Sequence, residues 1–169
     1  MSGRYVHIFC GSGMGKTSAA FGRGIRQAGE GKSVVLIQFL KEKQSEGMAE
    51  FIKRLEPEVK LFRFEKFPEN YESLTEREKE DEIQNIKNGL NFAKKVLTTG
   101  ECSLLILDEV LGLIDNGIIS VEDLKHIVEA KSDDVSIIMT GIHLNDKVCE
   151  IADEISRIDA MNYKVFCEK

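Results

Sequence analysis

This chain of 169 residues has few prolines, no tryptophan and no long apolar run, and these absences exclude several classes of protein. It contains no tryptophan and only two prolines, and 42% of its residues are hydrophobic while 31% are charged. That balance is typical of a chain with a packed core, and it excludes collagen-like and intrinsically disordered proteins. The apolar runs are far shorter than the roughly 20 residues that a membrane-spanning helix needs. We therefore expect a single globular domain over residues 1–169 that does not enter a membrane.

Cysteine is also sparse, and its spacing excludes two kinds of site. The four cysteines are far apart and form no C-x-x-C pair: Cys10, Cys102, Cys149 and Cys167. Neither a zinc site nor a redox dithiol is therefore predicted, and we expect reduced, mostly buried thiols. Residues 1–5 have no apolar stretch of the signal-peptide type, so the predicted location is cytoplasmic.

A basic excess is missing as well, because the net charge is -6. Residues 1–41 carry six basic residues against Glu30 alone, whereas residues 65–82 carry eight acidic and three basic residues. An acidic chain argues against a non-specific nucleic-acid binder, and the local basic excess favours a compact anion. We expect a small phosphorylated ligand and no nucleic-acid partner. Residues 76–82 are interpreted as the solvated start of a helix.

Short apolar runs alternate with helix-period segments along the whole chain. Strands are predicted at Tyr5 to Cys10, Val34 to Phe39, Val59 to Phe64, Leu104 to Leu107 and Val135 to Met139. Unbroken apolar strands separated by helices indicate a mostly parallel sheet covered on both faces, which is an α/β fold. Gly22 and Gly24, in the helical stretch after the first strand, predict close packing of that helix on the sheet.

Two helix starts are marked by capping residues. A long helix is predicted from Glu76 to about Leu97, because Thr75 and Glu78 form a capping box ahead of an apolar stripe. Ser120, followed by two acidic residues, marks a second start. The inner face of this second helix is predicted to carry Leu124, Ile127 and Val128.

A glycine-rich segment follows the first strand and precedes a helix. Its residues are the predicted ATP-binding residues: Gly11, Ser12, Gly13, Met14, Gly15, Lys16, Thr17 and Ser18. Glycines allow several N–H groups to face one anion, the helix N-terminus adds its positive end, and Lys16 adds a full charge. The usual G-x-x-x-x-G-K-[ST] spacing would place glycine where Cys10 stands. The alternative is a plain strand-to-helix connection.

A second signal lies 92 residues after Lys16, where an apolar strand ends in Asp108 and Glu109. Buried carboxylates at a strand end are costly unless they are paired or bound to metal. In nucleotide-binding folds such a strand runs near the loop strand, so its carboxylates can meet a Mg²⁺ held by a loop hydroxyl. The predicted Mg²⁺ ligands are Thr17, Asp108 and Glu109.

These segments together resemble the ATP:corrinoid adenosyltransferases in order and spacing, over about residues 4–158. The residues that carry the resemblance are Gly11 to Gly22, Val35 to Lys41, Leu105 to Glu109, Ile138 to Gly141 and Ile151 to Asp153. Within them, Gln38-Phe39-Leu40-Lys41 is the most family-specific motif. The fold class implied is α/β, P-loop NTPase-like (RecA-like), with a mostly parallel sheet and helices on both faces.

The activity implied is transfer of the 5′-deoxyadenosyl group of ATP to the Co(I) centre of a reduced corrinoid, with release of tripolyphosphate. Co(I) is itself a strong nucleophile, and the sequence shows no Ser-His or Cys-His pairing that would indicate a protein base. Lys16 and Glu109 are the predicted catalytic residues. ATP as substrate, Mg²⁺, a reductase that supplies Co(I) and a homodimer are implied along with the corrinoid.

Residues 62–71 hold the main concentration of aromatic side chains. The resemblance implies that Phe67 and Tyr71 face the corrin ring, whereas the alternative is that Phe67 packs a loop. For Phe62 and Phe64 we favour the core face of an alternating strand.

Three positions depart from the family pattern. Met14 stands where the family usually has lysine, Ile142 where it usually has arginine, and Arg157 where a glutamate is expected. The glycine-containing C-terminal segment of the family is also absent at residues 163–169. These departures motivate one alternative, a non-catalytic nucleotide or corrinoid sensor. A second alternative is a small ATPase of the same broad superfamily in which Glu109 orients a water.

Overall fold

The strands and helices are seen in a computed structural model that describes residues 5–40 and 46–164. Lys41 and Cys167, which the sequence analysis named, lie outside the described residues, as do residues 165–169 of the C-terminal segment. The strands are Val6–Cys10 (β1), Val34–Phe39 (β2), Val59–Phe64 (β3), Leu104–Asp108 (β4), Ser136–Thr140 (β5) and Glu154–Arg157 (β6). The helices are Lys16–Gly29 (α1), Glu46–Lys53 (α2), Glu76–Thr99 (α3), Val110–Asp115 (α4), Val121–Glu129 (α5) and Asp146–Cys149 (α6), with a 3₁₀ turn at Tyr71–Ser73.

All six strands are parallel and lie in the order β3-β2-β4-β5-β1-β6. The five predicted strands are confirmed. Strand β6 was not predicted, because this edge strand is short, mostly polar and exposed. Parallel strands place their carboxyl ends at one edge of a sheet, so the segments that follow β1, β2, β4 and β5 meet there.

The sheet is covered on both faces by separate apolar clusters. One face packs mainly against α3 and α5 and holds Ile37, Leu107 and Leu97, while the other packs against α1 and holds Leu36 and Ile106. Strands β2, β4 and β5 are buried along their whole length, which explains their unbroken apolar sequences. Within the described ranges, no helix is long and apolar enough to cross a membrane.

The glycines of α1 differ from the prediction at one position. A Cβ at Gly24 would lie 3.2 Å from side-chain atoms of Ile106 and Val34, so this glycine does allow close packing on the sheet. A Cβ at Gly22 would meet nothing within 4 Å, so the prediction of close packing there is wrong.

Both predicted helix starts are confirmed. Thr75 with Glu78 and Ser120 with Asp123 form complete capping boxes at α3 and α5. One acidic residue of the first turns is not solvated, contrary to the interpretation of residues 76–82. Glu82 is 3% exposed, and its carboxylate accepts hydrogen bonds from the backbone N–H groups of Lys66 and Phe67. It thereby fixes the loop that follows β3.

The cysteines that the structure describes are free thiols, as expected. Cys10 and Cys102 are buried and Cys149 is partly exposed. Burial raises the pKa of the Cys102 thiol to about 12 and also raises the pKa of Cys10. Both buried thiols are therefore protonated at neutral pH and are poor nucleophiles.

Candidate functional site

The glycine-rich loop leads from β1 into α1, whose first helical residue is Lys16. Gly15 caps the helix with a φ of 107° and offers no side-chain hydrogen bond. This start differs from those of α3 and α5, where side chains occupy the first N–H groups. An uncapped N-terminus of a 14-residue helix leaves its N–H donors and its positive end available to an anion.

The side chain of Lys16 folds back into the loop. It is 8% exposed, and its Nζ donates a hydrogen bond of 2.7 Å to the carbonyl oxygen of Gly13. The structure therefore places a buried positive charge directly beside the uncapped helix start. A buried ammonium is costly without a negative partner, so this arrangement favours a bound polyanion.

The first half of the loop is held by main-chain contacts with two other segments. Gly11 N–H donates to the carbonyl of Ile142 at 3.0 Å, and Gly13 N–H donates to the carbonyl of Ile158 at 2.8 Å. Gly11 has a φ of 110°, and a Cβ there would overlap the Ile158 carbonyl, so only glycine fits. These two N–H groups face the protein, whereas Met14, at 96% exposure, projects into solvent.

Asp108, at the end of β4, lies behind the loop and is fully buried. Its Oδ1 accepts hydrogen bonds from the hydroxyls of Thr17 at 2.9 Å and Thr140 at 2.7 Å. Its Oδ2 accepts one from the side-chain amide of Gln38 at 3.1 Å. The structure thus brings together two of the predicted Mg²⁺ ligands, the Thr17 hydroxyl and the Asp108 carboxylate, which are 91 residues apart in the sequence.

Glu109 follows Asp108 at the sheet edge and is half-buried. Its backbone has a φ of 62°, in the left-handed region, and its N–H donates to the hydroxyl of Thr140 at 2.8 Å. Thr140 therefore contacts both acidic positions, although the sequence analysis gave it no role. The signal that could have found Thr140 and Gln38 is the same for both: each is a polar residue at the carboxyl end of an apolar strand.

The side-chain oxygen atoms of Thr17 and Asp108 suit a magnesium ion. Within residues 5–40 and 46–164, no three His, Cys, Asp or Glu side chains form a cluster that could hold a metal by themselves. Mg²⁺ is usually held by one or two carboxylates, with waters and substrate phosphates among its other ligands. The Thr17 hydroxyl and the Asp108 carboxylate supply oxygens of that kind beside the phosphate loop.

The aromatic residues singled out after β3 fall into two groups. Phe62 and Phe64 are partly buried and pack on Phe92 of α3, with ring centroids 4.6 and 6.0 Å apart, so their assignment to the core is confirmed. Phe67 and Tyr71 are half-buried and line one pocket with Leu40, Glu65, Asn70, Leu74 and Glu82 among others. Leu40 directly follows β2, so this pocket opens at the same edge of the sheet as the loop.

One hydrogen bond between a serine and a histidine side chain, which the sequence does not reveal, joins β1 to β6. His7 Nε2 lies 2.8 Å from Ser156 Oγ across β1 and β6, and the imidazole stacks on Phe9 at 4.2 Å. The ring is fully buried, its Nδ1 has no hydrogen-bond partner, and Glu154 is 3.9 Å away. Burial lowers the pKa of His7, an effect partly offset by the nearby carboxylate. The pair is structural, because it joins two strands within the sheet.

A comparison with known families shows which family the chain belongs to. Residues 2–166 match the model of a family described as ATP:corrinoid adenosyltransferase BtuR/CobO/CobP. The chain belongs to this family. The resemblance drawn from the motifs is thus confirmed, and membership makes the chain an enzyme of the adenosyltransferase class.

Curated relatives agree with this membership. The corrinoid adenosyltransferase of Escherichia coli (strain K12) is 25% identical over 153 residues, which cover 90% of this chain and 75% of the relative. The corrinoid adenosyltransferase CobA of Salmonella typhimurium (strain LT2) shows the same identity and the same coverage. At this identity the chain is a divergent adenosyltransferase.

Solved structures show the same fold at lower similarity. A KaiC-like protein from Pyrococcus horikoshii OT3 matches with a TM-score of 0.59 and 16% identity, covering 94% of this chain and 74% of that one. The predicted P-loop NTPase-like (RecA-like) α/β fold is confirmed.

The three departures from the adenosyltransferase pattern lie around the loop and on β6. Met14 is at the tip of the loop, and the carbonyl of Ile142 holds Gly11. Arg157, at the end of β6, pairs with Asp159 at 2.8 Å on the surface. None of them disturbs the contacts among Thr17, Asp108 and Thr140.

Proposed function

We propose that this adenosyltransferase transfers the 5′-deoxyadenosyl group of ATP to the Co(I) centre of a reduced corrinoid, and that tripolyphosphate leaves. The bond between C5′ and the triphosphate oxygen breaks as the cobalt-carbon bond forms. The observation that carries the proposal is the contact of Thr17 with Asp108 beneath an uncapped helix start, in a chain that belongs to the family.

The proposed ATP site covers Gly11 to Ser18, with a division of roles. Because Gly11 and Gly13 donate their N–H groups to protein carbonyls, they shape the loop rather than bind phosphate. The N–H groups from Met14 onward lie at the uncapped start of α1 and are the proposed phosphate donors. Lys16 would exchange the Gly13 carbonyl for a phosphate oxygen and stabilise the charge on the departing triphosphate.

The proposed Mg²⁺ site is formed by Thr17, Asp108 and Glu109. When bound, the ion would neutralise charge on the triphosphate. Asp108 stays oriented because its oxygens accept three hydrogen bonds from within the protein. Thr140 sets the backbone of Glu109, whose half-buried carboxylate we propose as the third ligand.

No general base is needed in this scheme, because the attacking Co(I) carries no proton. Binding and orientation would then supply most of the rate enhancement. We propose that Phe67 and Tyr71, which share the pocket beside Leu40, present the apolar surface for the corrin ring. A reductase as the source of Co(I) and a homodimer remain predictions from the resemblance, and a cytoplasmic location remains a prediction from the sequence.

The direct test is a reaction of the protein with ATP, Mg²⁺ and a chemically reduced corrinoid. We expect a light-sensitive cobalt-carbon product and one tripolyphosphate for each adenosyl group transferred. Product no greater than in a protein-free control would contradict the proposal. Release of orthophosphate without corrinoid, abolished by Glu109→Gln while ATP still binds, would indicate the ATPase alternative. Tight binding without turnover would indicate the sensor.

A further inference from the structure

Three polar residues form a row across the sheet on the loop side of the molecule. Arg63 on β3 is in register with Gln38 on β2, and Gln38 is in register with Asp108 on β4. Side chains two positions apart on a strand share a face, so Gln38 and Asp108 lie on the same face as Leu36 and Ile106, which pack against α1. The register therefore aligns a guanidinium, an amide and a carboxylate at the edge of the sheet that holds the site.

The three side chains are linked by directional hydrogen bonds. Arg63 Nε donates to Gln38 Oε1 at 3.1 Å, and Gln38 Nε2 donates to Asp108 Oδ2 at 3.1 Å. A glutamine amide has one accepting end and one donating end, whereas arginine can only donate and a carboxylate can only accept. The guanidinium therefore fixes the amide with its oxygen toward Arg63 and its NH₂ group toward Asp108.

The reversed amide would place an oxygen against the carboxylate. Gln38 is 4% exposed and Asp108 is fully buried, so electrostatic effects between them are weakly screened. With Oδ2 held by the amide, Oδ1 is directed to Thr17 and Thr140. The orientation of Gln38 thus bears directly on how Asp108 meets the loop hydroxyl.

We propose that Arg63 and Gln38 are positioning residues: Arg63 orients the Gln38 amide, and the amide holds the Asp108 carboxylate in the orientation that receives the Mg²⁺ of the bound nucleotide. This inference rests on the proposed function only for the presence of a magnesium nucleotide at the loop, and it involves no corrinoid. Arg63 contacts the amide of Gln38, so we expect its loss to weaken metal-assisted binding more than the binding of the nucleotide alone.

The test measures ATP affinity by calorimetry in excess EDTA and in excess Mg²⁺, with the full chain. The ratio of the two dissociation constants gives the gain in affinity due to the metal. For Arg63→Met and Gln38→Leu we expect this gain to fall at least fivefold, while the affinity in EDTA changes less than twofold. Arg63→Lys should restore part of the gain, since it keeps a donor.

The double variant of Arg63→Met and Gln38→Leu should lose no more than the larger single loss, because both substitutions break one relay. Lys60→Met, an exposed substitution on the same strand, is the control and should behave as wild type. An unchanged metal gain in Arg63→Met, additive losses, or an equal loss in EDTA would each overturn the inference. A wild-type chain that binds no ATP in either solution would overturn the proposed function as well. The two failures are distinguishable, because this one appears in the wild-type protein and does not depend on the variants.

Discussion

The hydroxyl of Thr140 lies 2.7 Å from Oδ1 of Asp108 and donates a hydrogen bond to it. The same hydroxyl accepts the N–H of Glu109 at 2.8 Å, in a residue with a φ of 62°. One side chain at the end of β5 therefore fixes both a buried carboxylate and the backbone turn that follows it. A hydroxyl suits this place because it can donate and accept at once.

The first prediction concerns that hydroxyl. Thr140→Val keeps the shape of the side chain and removes both hydrogen bonds, so we expect the free energy of unfolding to fall by about 1–3 kcal/mol. Corrinoid adenosylation should fall at least tenfold, because Asp108 and Glu109 lose their common support. Thr140→Ser retains the hydroxyl and should keep most of the activity. Full activity in Thr140→Val, measured with denaturant unfolding on the same sample, would contradict a positioning role.

The second prediction concerns the charge of Lys16. Lys16→Met keeps most of the buried stem, so its effect reports the ammonium group. We expect the dissociation constant for ATP to rise at least tenfold, or about 1.4 kcal/mol, by calorimetry. Lys32→Met is the matched control, because Lys32 pairs with Glu30 at 3.1 Å on the surface. Equal ATP affinities for Lys16→Met and Lys32→Met would show that the loop lysine does not meet phosphate.

The third prediction is a pH dependence of stability due to His7. Burial lowers its pKa below the ordinary value of 6.5, so the unfolded chain binds the proton more readily than the folded one. Stability from this group is therefore present above pH 6.5 and is lost as the pH falls toward the folded pKa. We expect urea unfolding between pH 7.5 and 5.5 to show a smaller loss for His7→Phe, which keeps a ring stacked on Phe9, than for wild type. Parallel losses would mean that His7 does not contribute.

The fourth prediction separates the aromatic pocket from the loop. Glu82→Gln should weaken the hydrogen bonds from the N–H groups of Lys66 and Phe67, because an amide has one accepting oxygen where the carboxylate has two. We expect the KM for the corrinoid to rise severalfold while the dissociation constant for ATP changes less than twofold. Glu80→Gln, an exposed substitution on the same helix, should change neither value. A loss of ATP affinity equal to the rise in KM would argue that the two regions are not separate.

The fifth prediction compares glycines in two helices. Gly22→Ala on α1 should raise the free energy of unfolding by up to about 1 kcal/mol, because its Cβ meets nothing within 4 Å and alanine is the better helix former. Gly89→Ala on α3 should lower it, because its Cβ would lie 2.5 Å from Cγ of Phe64. Chemical denaturation of both variants gives the comparison, and opposite signs are the expected result.

Local sequence signals predicted much of this fold. Each central strand is an unbroken apolar run because it is buried on both faces, and the capping boxes at Thr75 and Ser120 are short-range patterns. By contrast, β6 has an exposed, polar sequence, and its place in the sheet depends on pairing with β1. Glu82 likewise looked like one more acid in a solvated run, because its two N–H partners lie 15 and 16 residues away.

The same distinction applies to the site. The loop and the pair Asp108 and Glu109 could be recognised because the residues of each motif are contiguous in the sequence. Thr140 and Gln38 are marked in the sequence only as polar residues at the ends of apolar strands. Their roles, and that of Arg63, depend on the strand order and register that bring Thr140 and Gln38 to Asp108 and Arg63 to Gln38. The hydrogen bond from Gly13 N–H to the carbonyl of Ile158 joins main-chain groups, so no residue type in the sequence indicates it.

That contact between Ile158 and Gly13 makes the loop sensitive to chain length more than to side-chain identity. Substitutions at residue 158 leave the carbonyl in place, and they affect only the packing of this side chain on the apolar cluster of the α1 face. Deleting or inserting one residue between Glu154 and Ile158 would shift the carbonyl by about 3.3 Å, the rise of one extended residue, and Gly13 would lose its acceptor. The spacing from residue 154 to residue 158 is thus under a stricter constraint than its composition.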